Sequence, residues 1–217
     1  MPTLEVSSSF EEKLLEEAIQ SPALAMIRIS MEVDRQLRLI LAAIGKLRSY
    51  TGPSPIEALD LIWTSQTDAR VPSALRDTLR DFWELRNKIV HGNQPNEALT
   101  VRAVDYGIRI LKMVQSIPRP RYVVTAIVTL YADQACTRVR PDIRGVLLDY
   151  FGPGGESRGQ LVFPTRKDYL KGQSVSWEWE TSGSGWGETW FRDPRTQIAK
   201  CAWSESAEFA GRPLDEI

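Results

Sequence analysis

The sequence predicts an α+β protein: an all-helical N-terminal bundle over residues 1–117, then a small, mostly antiparallel β domain over residues 118–217. Three observations carry that expectation. Residues 9 to about 116 place apolar side chains at helical spacing behind recognisable start signals. The segment Ser116-Ile117-Pro118-Arg119-Pro120 then interrupts the chain with two prolines two apart, which cannot continue a helix and favour an extended linker. Beyond it the pattern changes to short β-branched runs and alternating segments separated by glycine-rich turns.

Each helix has a local reason to start. Ser9 and Glu12 have capping-box spacing ahead of Leu14, Leu15 and Ile19. Ser21-Pro22 puts proline at a first helical position, where its missing N–H costs nothing, and the helix behind it is expected to run to about Arg48. Ser54-Pro55-Ile56-Glu57 combines both devices ahead of Leu59, Ile62 and Trp63. Ser73 caps a helix through Leu75, Leu79, Phe82 and Ile89 that ends at His91-Gly92, and a last one from about Glu97 carries Leu99, Val104, Ile108, Leu111 and Val114. In the second half, Tyr122–Tyr131 and Val146–Phe151 read as strands. Val175, Trp177 and Trp179 alternate with Ser176, Glu178 and Glu180 as a strand with one buried face would. Gly152-Pro153-Gly154-Gly155 and Ser182-Gly183-Ser184-Gly185 read as hairpin turns.

Composition narrows the function classes. In 217 residues, 27 Lys+Arg oppose 28 Asp+Glu, so no global field draws nucleic acid or an anionic membrane to the chain. Two cysteines, Cys136 and Cys201, make no disulfide framework, which fits a reducing compartment. The acidic start MPTLEVSSSFEEKLLEEA is no signal peptide, and no apolar run approaches the length of a spanning helix. The expectation is a cytoplasmic protein with no membrane partner. One histidine and two distant cysteines give no zinc spacing, and no phosphate loop, dinucleotide fingerprint or nucleophile elbow is present, so neither metal nor cofactor is expected.

Five of the seven tryptophans, Trp177, Trp179, Trp186, Trp190 and Trp203, fall in the last fifth of the chain. They suit the core of a small β domain or a recognition surface. Trp186, in a glycine-rich loop, is the candidate for contacting a ligand. Arg138, Arg140, Arg144, Arg158, Arg166 and Lys167 could track an RNA backbone or form a solvated face.

Chemistry concentrates in Leu85-Arg86-Asn87-Lys88-Ile89-Val90-His91-Gly92, which holds the single histidine. At about 100° per residue, Arg86 falls near the middle of the stripe formed by Leu75, Leu79, Phe82 and Ile89. An arginine there needs a carboxylate, an anion or a partner chain. Asn87 and His91 share a face one turn apart. Arg86 and His91, five apart, splay by roughly 140° on an ideal helix. They converge on one ligand only if the helix loosens at its end or two chains supply the site. At a helix C-terminus the dipole favours the imidazolium, which suits a phosphate ligand or a general acid.

Arg86-Asn87-Lys88-Ile89-Val90-His91 resembles the signature of the HEPN domain, a helical bundle marked by Arg, four to six residues, then His. Ile27-Arg28-Ile29-Ser30-Met31-Glu32 looks like the arginine-and-glutamate segment of an earlier HEPN helix. The resemblance covers residues from about 20 to 116 and leaves the β domain unassigned. It implies a metal-independent endoribonuclease with its site between two protomers of a homodimer. His91 would move a proton at the ribose hydroxyl or leaving oxygen, Arg86 would stabilise charge on the phosphate, and Asn87 would position it. Glu32 would orient Arg86 or His91, or else pair with Arg28. Lys88 would contact the RNA substrate; Trp186, outside the resemblance, stays the substrate-binding candidate on the strength of its glycine-rich loop. Such proteins often act as toxins or antiphage effectors, so the resemblance admits an antitoxin or a defence-system partner. The alternative is an inactive dimerisation or nucleotide-binding module in which Arg86 pairs with Glu32 or Asp34 and the β domain binds the ligand or partner.

Overall fold

The computed structural model describes residues 8–47, 53–65, 71–91, 97–181, 187–202 and 207–217. Among them run helices α1 (Ser8–Gln20), α2 (Pro22–Ala43), α3 (Pro55–Ser65), α4 (Leu75–His91) and α5 (Glu97–Gln115). Strands follow: β1 (Arg121–Tyr131), β2 (Val139–Phe151), β3 (Ser157–Thr165), β4 (Ser174–Val175), β5 (Trp179–Thr181), β6 (Thr189–Arg192), β7 (Ala199–Ala202) and β8 (Ala207–Phe209). The protein therefore has both helices and antiparallel sheet, as an α+β chain should. It divides into two compact units, one of Met1–Leu41 with Ser49–Pro118 and one of Ala42–Arg48 with Arg119–Ile217.

In the first unit, α2 buries Met26, Ile29, Val33, Leu37 and Ile40 at helical spacing, and α4 buries Leu75, Leu79, Phe82 and Ile89. Helix α5 packs on α4 and α1, and α3 on α4. Gly107 of α5 permits a close approach: a Cβ there would lie 2.5 Å from Ile29 Cγ2 and 3.1 Å from Phe82 Cε2. The capping box at α3 forms, with the Ser54 N–H donating to Glu57 Oε2 at 2.8 Å and the Glu57 N–H to Ser54 Oγ at 3.4 Å. Helix α1 begins at Ser8, so Ser9 lies inside its first turn rather than ahead of it.

Helix α2 stops at Ala43, short of the expected Arg48. Gly45 takes φ +70°, its N–H donates to Ala42 O at 3.3 Å, and the same carbonyl accepts the Trp177 N–H at 2.9 Å. A residue in the left-handed region ends a helix, and glycine occupies it without strain. That signal was missed because no proline marks the position.

In the second unit the main sheet has order β3-β2-β1-β6-β7, antiparallel throughout, with β4 beside the start of β1 and a separate β5-β8 ribbon. Strand β1 serves two cores. Before its bulge, Tyr122 and Val124 pack with Val146, Leu148, Phe163, Tyr169, Val175 and Phe209. The bulge between Val124 and Ala126 shifts the register, so Val128 and Leu130 face the opposite side of the sheet. There they meet Ile143, Leu147, Val162, Phe191 and Ala202, contributed by β2, β3, β6 and β7. Because all five strands feed this second cluster and β7 also packs on β3, the sheet curls around it.

The one-face-buried strand expected at 175–180 is broken: Ser176, expected on the open face, is fully buried, while Trp177 and Trp179 are only partly buried. Val175, Trp177 and Trp179 do share the first cluster. Their backbone turns from one partner to the next: Val175 pairs with Tyr122, the Ser176 N–H donates to Arg212 O, and Trp179 pairs with Phe209. The Gly152–Gly155 turn joins β2 to β3 as expected, with the Gly152 N–H donating to Glu156 O at 2.8 Å. The turn expected at 182–185 lies outside the described residues.

Two predictions follow from these contacts. Gly107→Val should lower unfolding free energy by about 1–3 kcal/mol in urea titration, because the new methyls overlap Ile29 and Phe82. The β6–β7 loop should loosen in acid. Asp193 accepts from Lys200 Nζ at 2.5 Å and from the N–H groups of Arg195 and Thr196, which holds its carboxyl down to about 2. Its contribution is present above the ordinary carboxylate pKa and is lost as pH falls through about 2. Asp193→Asn should flatten that part of the stability-versus-pH curve; an unchanged curve would remove Asp193 from the account.

Candidate functional site

The candidate site rests on α4, which is helical from Leu75 through His91. Its buried stripe of Leu75, Leu79, Phe82 and Ile89 carries Arg86 between the last two. Arg86 is half-buried. Its Nη1 donates to Asn87 Oδ1 at 2.9 Å, while Nε is buried with no hydrogen-bond partner. A guanidinium whose Nε is cut off from water and unbonded lacks one of the interactions that normally compensate burial.

Asn87, Lys88 and His91 are exposed, and His91 is the last helical residue. Because the helix stays regular to that point, Arg86 and His91 stand roughly 140° apart around its axis and about 7.5 Å apart along it. The structure thus brings Arg86 and Asn87 together, puts His91 on the Asn87 side one turn on, and leaves Arg86 and His91 on different faces of one chain. Gly92 lies outside the described residues, as do Trp186 and Trp203.

Glu32 is engaged elsewhere. Its Oε1 accepts from Gln36 Nε2 at 2.8 Å and from Arg35 Nη1 at 3.3 Å, partners within one turn of its own helix. Arg28 reaches back to Glu17 on α1, 3.0 Å away, rather than forward to Glu32. That contact has ion-pair distance without hydrogen-bond geometry, since Glu17 Oε2 is otherwise unsatisfied. Asp34 binds Arg38 Nε at 2.7 Å. Within one chain, Glu32 and Asp34 thus make local bonds along α2, Arg28 turns to Glu17, and neither Glu32 nor Asp34 is among the described contacts of Arg86. Sequence reasoning sought a carboxylate for Arg86 and missed Asn87 Oδ1. Adjacent residues on a helix do not normally face each other.

The six basic residues singled out in the second unit each lie at ion-pair distance from an acid: Arg138 with Asp133, Arg140 with Asp142, Arg144 with Asp168, Arg158 with Glu156, Arg166 with Glu208 and Lys167 with Glu180. A solvated, ion-paired surface describes this set better than one continuous anion track. Cys136 is buried and Cys201 exposed, both as free thiols. No group of three or more His, Cys, Asp or Glu capable of holding a metal occurs among the described residues. No described helix is long and apolar enough to cross a membrane.

Compared with known proteins, the chain matches no family model, no curated protein and no solved structure.

The unpartnered Nε gives a stability test. With no carboxylate to strand, Arg86→Met should change unfolding free energy by less than about 1 kcal/mol, or raise it. A loss of about 3–5 kcal/mol in urea or thermal unfolding would reveal a structural ion pair instead.

Proposed function

We propose that the protein is a metal-independent endoribonuclease of HEPN type, acting as a homodimer in which Arg86 of one copy and His91 of the other flank one phosphodiester. The observation that carries this reading is Arg86: a cation set in the apolar stripe of α4, its Nε unsatisfied and its Nη1 held by Asn87. That arrangement suits a guanidinium waiting for an anion. The absence of a carboxylate at Arg86 among its described contacts favours it over the inactive-module reading, which needs a structural pair there.

The reaction asks for three things. The 2′-hydroxyl must be deprotonated as it attacks the adjacent phosphorus, the leaving 5′-oxygen must be protonated, and the charge on the phosphoryl oxygens must be stabilised. His91, exposed at the end of α4, has a ring that can take or give a proton at one of those oxygens. Arg86 supplies fixed positive charge to the phosphoryl oxygens, and its planar fork suits two of them at once. Asn87 orients that fork through its Oδ1. Lys88, exposed beside it, serves the flanking backbone as a point charge. A two-fold arrangement supplies what the angle between Arg86 and His91 denies a single chain. In this reading the chain works as a toxin or antiphage effector, held in check by an antitoxin or defence partner. The second unit contacts substrate or receives the trigger.

The test is cleavage of transfer and total RNA by purified protein in EDTA. Wild type should cleave, while His91→Ala and Arg86→Ala should each lose about a hundredfold or more with the fold intact. Cleavage unchanged in folded His91→Ala would remove the assignment.

A further inference from the structure

We infer that Trp83 is the base-stacking residue of the α4 site: it takes the base of the nucleotide beside the phosphate held by Arg86, so that the site selects unpaired RNA. The polymer, and the phosphate on Arg86, come from the ribonuclease reading, on which Trp83's role rests. Helix α4 is regular from Leu75 to His91, so relative positions follow from spacing. At about 100° and 1.5 Å per residue, Trp83 stands roughly 60° and about 4.5 Å from Arg86, and roughly 40° and about 6 Å from Asn87. Residues three and four apart are surface neighbours on a helix, so Trp83 borders both members of the Arg86–Asn87 pair. Long helical side chains lean toward the helix N-terminus, which carries Arg86 back over the turn that holds Trp83. Trp83, Asn87 and His91 also succeed one another at four-residue intervals along one side of α4.

The ring is anchored without being enclosed. Trp83 is half-buried, and its centroid lies 5.4 Å from that of the fully buried Phe82 at an interplanar angle of 66°. Whichever ring offers its edge in that contact, Phe82 covers at most one face of the indole. No other ring and no guanidinium stacks on Trp83 among the described residues. Its N–H has no acceptor among them, and it is not one of the buried unsatisfied atoms, so that edge meets water. An indole donor open to water beside Arg86 is free to bond a base or phosphate oxygen. Charge along this side of the helix does not choose the occupant. Arg76 and Arg80 are matched to Asp60 and Asp77, at 2.9 and 3.9 Å, and Asp81 and Glu84 lie farther round, toward Lys88. What favours a nucleotide is a π-face one step from a group that suits phosphate. Every base can stack on such a face, and about 4.5 Å along the axis approaches the roughly 3.4 Å between phosphates of a stacked strand. In a duplex the bases stack on one another and leave Trp83 nothing to cover.

The test uses the full chain carrying His91→Ala, titrated by anisotropy with fluorescein-labelled RNAs of about ten nucleotides: an oligouridylate, its abasic counterpart, and its duplex with oligoadenylate. Trp83→Leu, which keeps apolar bulk against Phe82 without a π-face, should weaken oligouridylate binding about tenfold or more, whereas Trp83→Phe should retain most of it. Binding of the abasic and duplex RNAs, which offer only phosphates, should not change. A packing role for Trp83 would be met by Leu, so unchanged oligouridylate affinity in Trp83→Leu would overturn the stacking role. Equal losses on all three RNAs would overturn it too, since a missing base cannot lose its stack. So would no binding of oligouridylate, or a changed oligomeric state in sedimentation of Trp83→Leu, which would place the ring between copies. RNA cleavage by the otherwise wild-type chain, scored separately, keeps the two readings apart. Binding that depends on Trp83 without cleavage would leave the stacking residue standing and the nuclease refuted. Cleavage of oligouridylate with an unchanged KM in Trp83→Leu would do the reverse.

Discussion

One geometric constraint organises the functional account: α4 stays helical through His91, so Arg86 and His91 cannot meet on one face of one chain. A loosened last turn would have let a single copy gather both around a phosphate. The regular helix instead commits Arg86 to the packed side, between Phe82 and Ile89, and His91 to the water side. Burial without a partner at Nε is tolerable because Nη1 keeps a bond to Asn87 and the residue remains half-exposed. The same burial makes the group responsive to an anion, which would meet a charge already stripped of part of its water. The case for a two-copy site therefore comes from a helix that does not bend.

The packing of the first unit was legible where the sequence repeats a simple rule. Leu75, Leu79, Phe82 and Ile89 are buried as their spacing requires, and Ser54 and Glu57 exchange the bonds their types and separation dictate. The end of α2 was not legible, because Gly45 in the left-handed region and the N–H of Trp177, over a hundred residues away in sequence, act together on the Ala42 carbonyl. Within the candidate site, the position of Arg86 on the apolar stripe could be read from angles alone. Its partner could not. Which carboxylate an arginine reaches depends on competition among nearby acids, and Glu32 and Asp34 were each taken by a basic or amide side chain within one turn.

The second unit shows why short strands resist reading by alternation. A one-residue bulge after Val124 reassigns every later side chain of β1, so a single β-branched run feeds two separate clusters. Strand β3 carries Pro164 and Gly159, and β6, β7 and β8 have four residues or fewer, too short for a period to emerge. Tryptophans that look alike in sequence divide by role. Trp177 and Trp179 close the first cluster, with Trp177 stacked on Tyr122 at 4.4 Å between centroids, whereas Trp190 stands on the outer face beside Tyr131.

The most direct test of the two-copy site is complementation between inactive variants. Arg86→Ala and His91→Ala proteins, each inactive alone, are unfolded together, refolded together and assayed for RNA cleavage in EDTA. If each site takes Arg86 from one copy and His91 from the other, mixed dimers contain one intact site. Activity should then return to about a quarter of the wild-type value, since about half the dimers are mixed and each regains one site of two. A mixture as inactive as its components, with mixed dimers demonstrated by a tag on one partner, would contradict the account and place both residues' chemistry within a single chain.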